Sequence, residues 1–546
     1  MVVSVSSPAS AAGRDVLRQG GNAVDAAVAT AFALAVTFPE AGNIGGGGFM
    51  LIHPGRRGRA GLAEPVVIDY RETAPEAATA DMFASADAAH PPSSESMVGV
   101  PGTVRGLALA HRRFGHMRWD QLVAPAVRLA RDGFEVDADL AAALNAALAR
   151  AGNFPEFRRT FAPPRSGAPW VAGDRLVQPE LARTLEKIAA KGEAAFYTGP
   201  VARAIAGTVR EGGHGGGGVL TEEDLADYRA KVRPPVRGRF RGFDVYGPPP
   251  PSSGGVAVVE MLNILESFDL RRDGRWSPRT LHRMVEAMRR AFLDRAVFLG
   301  DPDFGNVPVA GLTSKLYAEN LAAGIDDNRA SSSEKLAAAS GVTIEANSAE
   351  SPHTTHFSVI DADGMAVSNT YTLEQAFGGM LVVKGCGFLL NNEMGDFNPR
   401  PGHTDATGRI GTPPNVAAPG KRMLSSMCPT VVARDGKVVL VTGSPGGRTI
   451  INTVLCVVLN VLEFDMPLRD AVDAPRLHHQ WLPDTIAMEP ALRKGHPEAV
   501  EALRQLGHVI ADKSPRQGDA HSIAVQTDGK YVGVADTRRS GAAAGY

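Results

Sequence analysis

A change of period at residue 354 constrains this 546-residue chain more than any other feature. Upstream, from Gly102 to Leu321, apolar residues recur mostly at helical spacing, as in Leu122–Arg131, Leu181–Lys191, Val256–Phe268 and Thr280–Phe298. Downstream the period is two. Thr355–Ile360 and Met365–Leu373 read as strands joined by the turn Asp361-Ala362-Asp363-Gly364. Between the two regimes, residues 328–353 are rich in Ser, Ala and Glu, with little apolar pattern beyond Val342–Ile344. Such a composition predicts an exposed, mobile segment. A polar segment that runs straight into a core strand marks its first residues, Thr354-Thr355-His356, as a junction.

Other elements follow from the same rules. Ala11–Gln19 reads as a helix stopped by Gly20-Gly21, and Asn22 is placed to cap a second helix over Ala23–Val36. Four glycines, Gly45–Gly48, precede a strand over Phe49–Ile52, with Val66–Tyr70 as its hairpin partner. Val383–Leu390, Thr430–Ala433 and Val438–Thr442 are expected to continue the sheet. Asn452–Phe464 is expected as an amphipathic helix, and Ser522–Gln526 with Tyr531–Asp536 as a late hairpin. Gly212–Gly218 and Pro248–Gly255 read as loops, and neither ends in the Gly-Lys-Ser/Thr of a phosphate-binding loop.

Composition excludes several classes. With 44% hydrophobic and 21% charged residues the chain can bury a core and is not disordered. A net charge of −2 provides no field for nucleic acid or an anionic membrane. No apolar run is long enough for a membrane span, and Ala26–Phe38 follows Gly-Gly-Asn rather than a basic stretch, unlike a signal peptide. The expected compartment is the cytoplasm, or the periplasm or exterior if an export signal has been removed. Length alone suggests three or four domains. Cys386, Cys428 and Cys456 are too few for a disulfide framework and read as small core hydrophobes. No His-Glu-x-x-His occurs, and His478-His479 reads as structural rather than a metal site.

Thr354 carries a specific chemistry if the peptide bond before it is cut. A free α-amine titrates near 7.7–8, so part of it is neutral at pH 7 and can act as base for the hydroxyl on the same residue. The bare pattern equally allows a structural Thr-Thr pair at a strand start.

From Val3 to about Thr537 the chain resembles the gamma-glutamyltranspeptidases of the N-terminal nucleophile hydrolase superfamily. The matching stretches are Gln19–Ala27, Gly42–Met50, Asp69-Tyr70-Arg71-Glu72, Pro249–Gly255, Leu299–Phe304, Thr354-Thr355-His356, Leu389–Met394, Leu424–Met427 and Thr442–Gly447. The resemblance implies an α+β fold, a four-layer αββα sandwich with two central antiparallel sheets. It also implies self-cleavage of the His353–Thr354 bond. That yields a large subunit, residues 1–353, and a small one, residues 354–546, held together as one composite globule.

Roles carry over residue by residue. Thr354 is the nucleophile and Thr372 its hydrogen-bond partner. Arg71, Ser425 and Ser426 bind the substrate's α-carboxylate. Glu374, Glu393 and Asp396 bind its α-ammonium, and Gly446 and Gly447 form the oxyanion hole. Implied substrates are glutathione and other γ-glutamyl compounds, with water, amino acids or dipeptides as acceptors, and neither cofactor nor metal. Glu374 and Glu393 stand where some relatives have Asn and Gln, so mutual repulsion among three carboxylates should raise at least one pKa. Residues 397–422 hold the family's lid position, with Thr407 where some members have Tyr. Two alternatives are a glutaryl-type cephalosporin acylase and an inert, unprocessed homologue.

Overall fold

The computed structural model describes residues 1–55, 62–85, 91–211, 217–339, 344–345, 354–398, 404–405, 413–514 and 516–546. Two antiparallel sheets form its centre. The first has seven strands, in the order Ala542–Ala544, Val2–Ser4, Thr355–Ile360, Ala366–Thr372, Gly47–His53, Val66–Asp69 and Lys231–Arg233. The second has six: Tyr531–Ala535, His521–Val525, Lys437–Thr442, Thr430–Arg434, Phe243–Gly247 and Val236–Phe240. The first sheet interleaves strands from before and after residue 354, so the two halves of the chain share one hydrogen-bond ladder.

Strand alternation sorts the side chains into layers. Along Gly47–His53, Met50 and Ile52 join the core under the outer helices, whereas Phe49 and Leu51 join the core facing the second sheet. In Thr355–Ile360, Phe357 and Val359 likewise face the helices, and Ile360 faces the other sheet. The helix Ala23–Thr37 is buried on all sides against the first sheet. It starts at a reciprocal cap in which the Asn22 side chain accepts from Asp25 N and the Asp25 carboxylate accepts from Asn22 N. The helices Gly254–Glu266, Pro278–Phe298 and Thr449–Leu462 cover the second sheet. The result is the four-layer αββα arrangement. No described helix is long and apolar enough to cross a membrane.

Several expectations need correction. Val383–Leu390 is not a strand. It is a turn-rich loop with a bridge between Val382 and Leu389, and Gly385 and Gly387 both take φ of 74°, a left-handed value that breaks a ladder. Thr430–Arg434 and Lys437–Thr442 belong to the second sheet rather than continuing the first. The helical middle region also contains the strands Lys231–Arg233, Val236–Phe240 and Phe243–Gly247, which short Arg-rich runs concealed. Thr449–Leu462 is nearly all buried instead of amphipathic, because it lies between neighbouring helices.

The polar segment is not uniformly exposed. It contains the helix Ser333–Ala339, with Ser333 and Ala337 fully buried. Specific polar partners hold that helix: Trp481 Nε1 donates to Ser333 O at 3.0 Å, Arg289 donates to Ser333 Oγ at 2.7 Å and Ser333 N donates to Asp484 at 2.9 Å. His353, Thr407 and Gly212–Gly216 lie outside the described residues.

Candidate active site

Register puts four positions in one row across the first sheet. The ladder pairs Thr355 with Tyr371, so one step further Thr354 stands opposite Thr372. Thr372 pairs directly with Gly47. The next ladder pairs Phe49 with Asp69, and hydrogen bonds join Gly48 to Tyr70, which brings Arg71 opposite Gly47. Thr354, Thr372, Gly47 and Arg71 therefore line one edge of the sheet. Directly opposed residues point to the same face, and here that face looks toward the second sheet. Three strand spacings separate Thr354 from Arg71, roughly 14 Å between backbones. Between them stands Gly47, where a Cβ would collide with the Glu72 carboxylate and Tyr70 O.

Thr354 is buried at 9% exposure. Thr372 Oγ1 accepts from Glu374 N at 2.8 Å, and Thr372 O accepts from Asn43 Nδ2 at 2.9 Å. Glu374 has φ of 79°, rare for a residue with a side chain, and its carboxylate accepts from Asn392 Nδ2. Asn391 ties the glycine loop to the acidic turn: its amide donates to Gly45 O and Gly99 O at 2.9 Å each, and its side-chain oxygen accepts from Glu393 N at 3.1 Å.

Arg71 is 1% exposed and fully engaged. Its two Nη groups donate to Glu393 and Asp396, Nε donates to Met423 O at 3.3 Å, and Glu72 lies 3.5 Å from Nη1. Burial opposes the guanidinium's charge, but Glu393, Asp396 and Glu72 outweigh it and raise its pKa. The reverse holds for the acids. Burial pushes Glu393 well above the usual carboxylate range despite Arg71, with Glu72, Asp396 and Glu374 adding repulsion. Burial likewise raises Glu72 to about 8, with Arg71 opposing. The expected repulsion among carboxylates is thus present, although desolvation is the larger cause. Glu72 Oε1 and Glu393 Oε1 are buried without a hydrogen-bond partner.

Ser425 and Ser426 arrive from the far side of Arg71, which also donates to Leu424 O at 3.4 Å. Ser425 Oγ accepts from Met427 N at 3.1 Å, and Ser426 Oγ accepts from Arg295 Nη2 at 2.9 Å. Gly446 and Gly447 follow a strand of the second sheet, Lys437–Thr442, with φ of 131° and 57°. A Cβ at Gly446 would collide with the Thr449 hydroxyl. The structure thus brings Arg71, Glu393 and Asp396 into direct contact, and aligns Thr354 with Thr372. Ser426 is turned toward Arg295, and Glu374 toward Asn392. The sequence reading assigned nothing to Glu72, Arg295, Asn43 or Asn391. Glu72, Asn43 and Asn391 sit in stretches already singled out, whereas Arg295 carries no local signal.

One cluster of metal-ligating side chains occurs among the described residues: His282, Glu286 and His508. His282 Nδ1 bonds His508 Nε2 at 2.8 Å, and Arg290 donates to the Glu286 carboxylate at 2.6 Å. Burial works to raise Glu286, but Arg289 and Arg290 hold it down at about 2. These groups satisfy one another as a packing network. His478 and His479 do the same through Asn452, Gln480 and Asp484.

A sequence model of the gamma-glutamyltranspeptidase family matches residues 9–546. The chain belongs to this family. It is 44% identical over 544 residues to a glutathione hydrolase proenzyme of Escherichia coli, covering 98% of this chain and 90% of that protein. A glutathione hydrolase proenzyme of Pseudomonas aeruginosa is 42% identical over 532 residues, covering 96% and 90%. Among solved structures, a cephalosporin acylase from Bacillus halodurans superposes with a TM-score of 0.85 at 26% identity, covering 100% of this chain and 95% of that one. Fold and family are thus those of the N-terminal nucleophile hydrolases.

Proposed function

We propose that this protein is a gamma-glutamyltransferase and glutathione hydrolase that cleaves its own chain before Thr354 and then uses that residue as nucleophile. The observation that carries the reading is the row Thr354–Thr372–Gly47–Arg71, which ends on an arginine ringed by acids. A γ-glutamyl group carries its reacting carbonyl at one end and an α-carboxylate and α-ammonium at the other, so it fits a site with a hydroxyl and a charged pocket three strands apart. The relatives named glutathione hydrolase proenzyme support both substrate class and maturation.

In the cycle the freed α-amine of Thr354 takes the proton from its own hydroxyl as Oγ attacks the γ-carbonyl. The Gly446 and Gly447 N–H groups meet the developing oxyanion. The leaving amine takes the proton, and a γ-glutamyl ester on Thr354 remains. Water resolves it to glutamate; an amino acid or dipeptide resolves it to a new γ-glutamyl product. The α-carboxylate takes over the Arg71 fork and the Ser425–Ser426 turn, and Glu393, Asp396 and Glu374 turn to the α-ammonium. The excess of carboxylate around Arg71 favours this zwitterion over a glutaryl group, which has no ammonium to answer them.

Intact-mass analysis with N-terminal sequencing of wild type and Thr354→Ala tests the proposal. Wild type should yield chains of residues 1–353 and 354–546, the second beginning Thr-Thr-His. A Thr354→Ala protein that still splits there, or still releases amine from a γ-glutamyl anilide, refutes the nucleophile. Faster turnover of a glutaryl anilide by wild type favours the acylase reading instead. A single full-length band in wild type favours an inert homologue.

A further inference from the structure

The third residue of the Thr-Thr-His motif has no role in the chemistry above, yet both of its ring nitrogens are hydrogen-bonded between the sheets. His356 is fully buried on the same strand face as Thr354, two residues along. Its Nδ1 lies 2.9 Å from Thr370 Oγ1 on the paired strand, and its Nε2 lies 3.1 Å from Ser358 Oγ. Ser358 in turn donates its single hydroxyl hydrogen to His521 O, in the second sheet, at 2.7 Å. That donation fixes every other hydrogen in the chain. Ser358 Oγ must accept, so Nε2 carries the ring proton. Nδ1 must then accept from the Thr370 hydroxyl. Burial, with the nearby His521 adding to it, holds the ring neutral, as this one-way relay requires.

This clamped ring packs beside Gly443, where any Cβ would collide with its Cε1 and Nδ1 atoms. Gly443 begins the stretch Gly443-Ser444-Pro445-Gly446-Gly447 that ends the Lys437–Thr442 strand. From its other side the stretch is braced by Asp519 N donating to Ser444 Oγ at 2.9 Å. The ring is thus a spacer between the strand that begins at Thr354 and the loop bearing Gly446 and Gly447.

We propose that His356 is a positioning residue that sets the height of the 443–447 loop over Thr354, so that the two glycine N–H groups meet the oxyanion rather than the ground-state carbonyl. This rests on the functional reading above. An oxyanion donor works only at hydrogen-bond distance from the tetrahedral oxygen, and displacing it costs rate without costing substrate affinity.

The test compares wild type, His356→Ala, His356→Gln and Gly443→Ala as purified two-chain enzymes. Two probes are used: a γ-glutamyl anilide, and a boronic acid analogue of glutamate that forms a tetrahedral adduct on the Thr354 hydroxyl. In His356→Ala, kcat should fall by ~10–100-fold with KM within about twofold. Boronate affinity should fall by the same factor as kcat, while inhibition by glutamate, which needs only the charged pocket, stays unchanged. Gly443→Ala leaves the histidine in place but forces the loop off the ring, and should show the same split. His356→Gln keeps a donor for Ser358 and should recover part of the rate. Parallel losses in KM, boronate and glutamate binding overturn the proposal, because they indicate general loosening. Failure of both His356→Ala and Gly443→Ala to release the small chain also overturns it, by placing the residue in self-cleavage instead. Wild-type enzyme that turns over no γ-glutamyl anilide refutes the functional reading itself, a result distinct from either.

Discussion

Replacing Arg71 by lysine keeps the buried charge and removes only the fork. The native side chain donates from separate nitrogens to two carboxylates and from Nε to Met423 O. A lysine ammonium at the end of a flexible stem cannot present two parallel N–H groups to one carboxylate. With a donor bound, the variant loses at least one charge-assisted hydrogen bond to the α-carboxylate, about 1.5–3 kcal/mol. At 1.4 kcal/mol per tenfold that is roughly a 10- to 150-fold loss in kcat/KM. The loss should fall on KM, because Arg71 sits three strands from Thr354 and touches a group whose charge does not change during acyl transfer.

The assay is amine release from a γ-glutamyl anilide over a range of concentrations. Thermal unfolding and a two-band denaturing gel confirm a folded, matured variant. A glutaryl anilide keeps the carboxylate and lacks the ammonium, so Arg71→Lys should weaken both substrates by a similar factor. Asp396→Asn should weaken only the γ-glutamyl one. If Arg71→Lys stays within twofold of wild type, or loses kcat with KM intact, the carboxylate assignment is wrong.

Three further outcomes follow from the same geometry. Glu72 has a folded-state pKa near 8 against 4.5 when free, so the native protein holds an extra proton between those values. Its contribution to stability is complete below pH 4.5 and is lost as pH rises through 8. Urea unfolding should therefore show Glu72→Gln gaining on wild type between pH 6 and 9, and an advantage that shrinks with pH would contradict the assignment. Gly446→Ala imposes a left-handed φ and a collision with Thr449, and should lower kcat by ~10²–10³ while leaving glutamate inhibition intact; a change in KM alone would exclude an oxyanion role. Arg295→Gln removes the 2.9 Å bonds to Ser426 and Ser253, and should raise KM for the γ-glutamyl donor by up to about tenfold with maturation unaffected. Stalled maturation would instead make Arg295 a folding residue.

Much of the fold was legible because its signals are local. The cap at Asn22, the hairpin through Asp361–Gly364 and the long helices of the middle region depend on neighbours within a few residues, and they stand where period and turn chemistry put them. The misreadings have non-local causes. Val383–Leu390 is apolar because it packs as a loop against the helices Pro179–Lys191 and Ala194–Tyr197, not because it pairs in a ladder. Ser333–Ala339 is polar in sequence yet anchored at a buried Ser333, because Arg289, Trp481 and Asp484 come from elsewhere to meet that residue.

The same division runs through the site. The sequence by itself supplied the groups that the proposed chemistry uses: a threonine at the mouth of a core strand, an arginine beside acids, paired glycines, and membership of the family. It could not determine which strands lie side by side, because pairing is set by burial across the whole chain rather than by any local propensity. Only the tertiary structure put Thr354, Thr372, Gly47 and Arg71 in one row, and enclosed Glu72 and Glu393 so that desolvation outweighs the arginine beside them. Only it folded the His356 ring onto Gly443, since that contact joins two sheets whose strands lie some 90 residues apart.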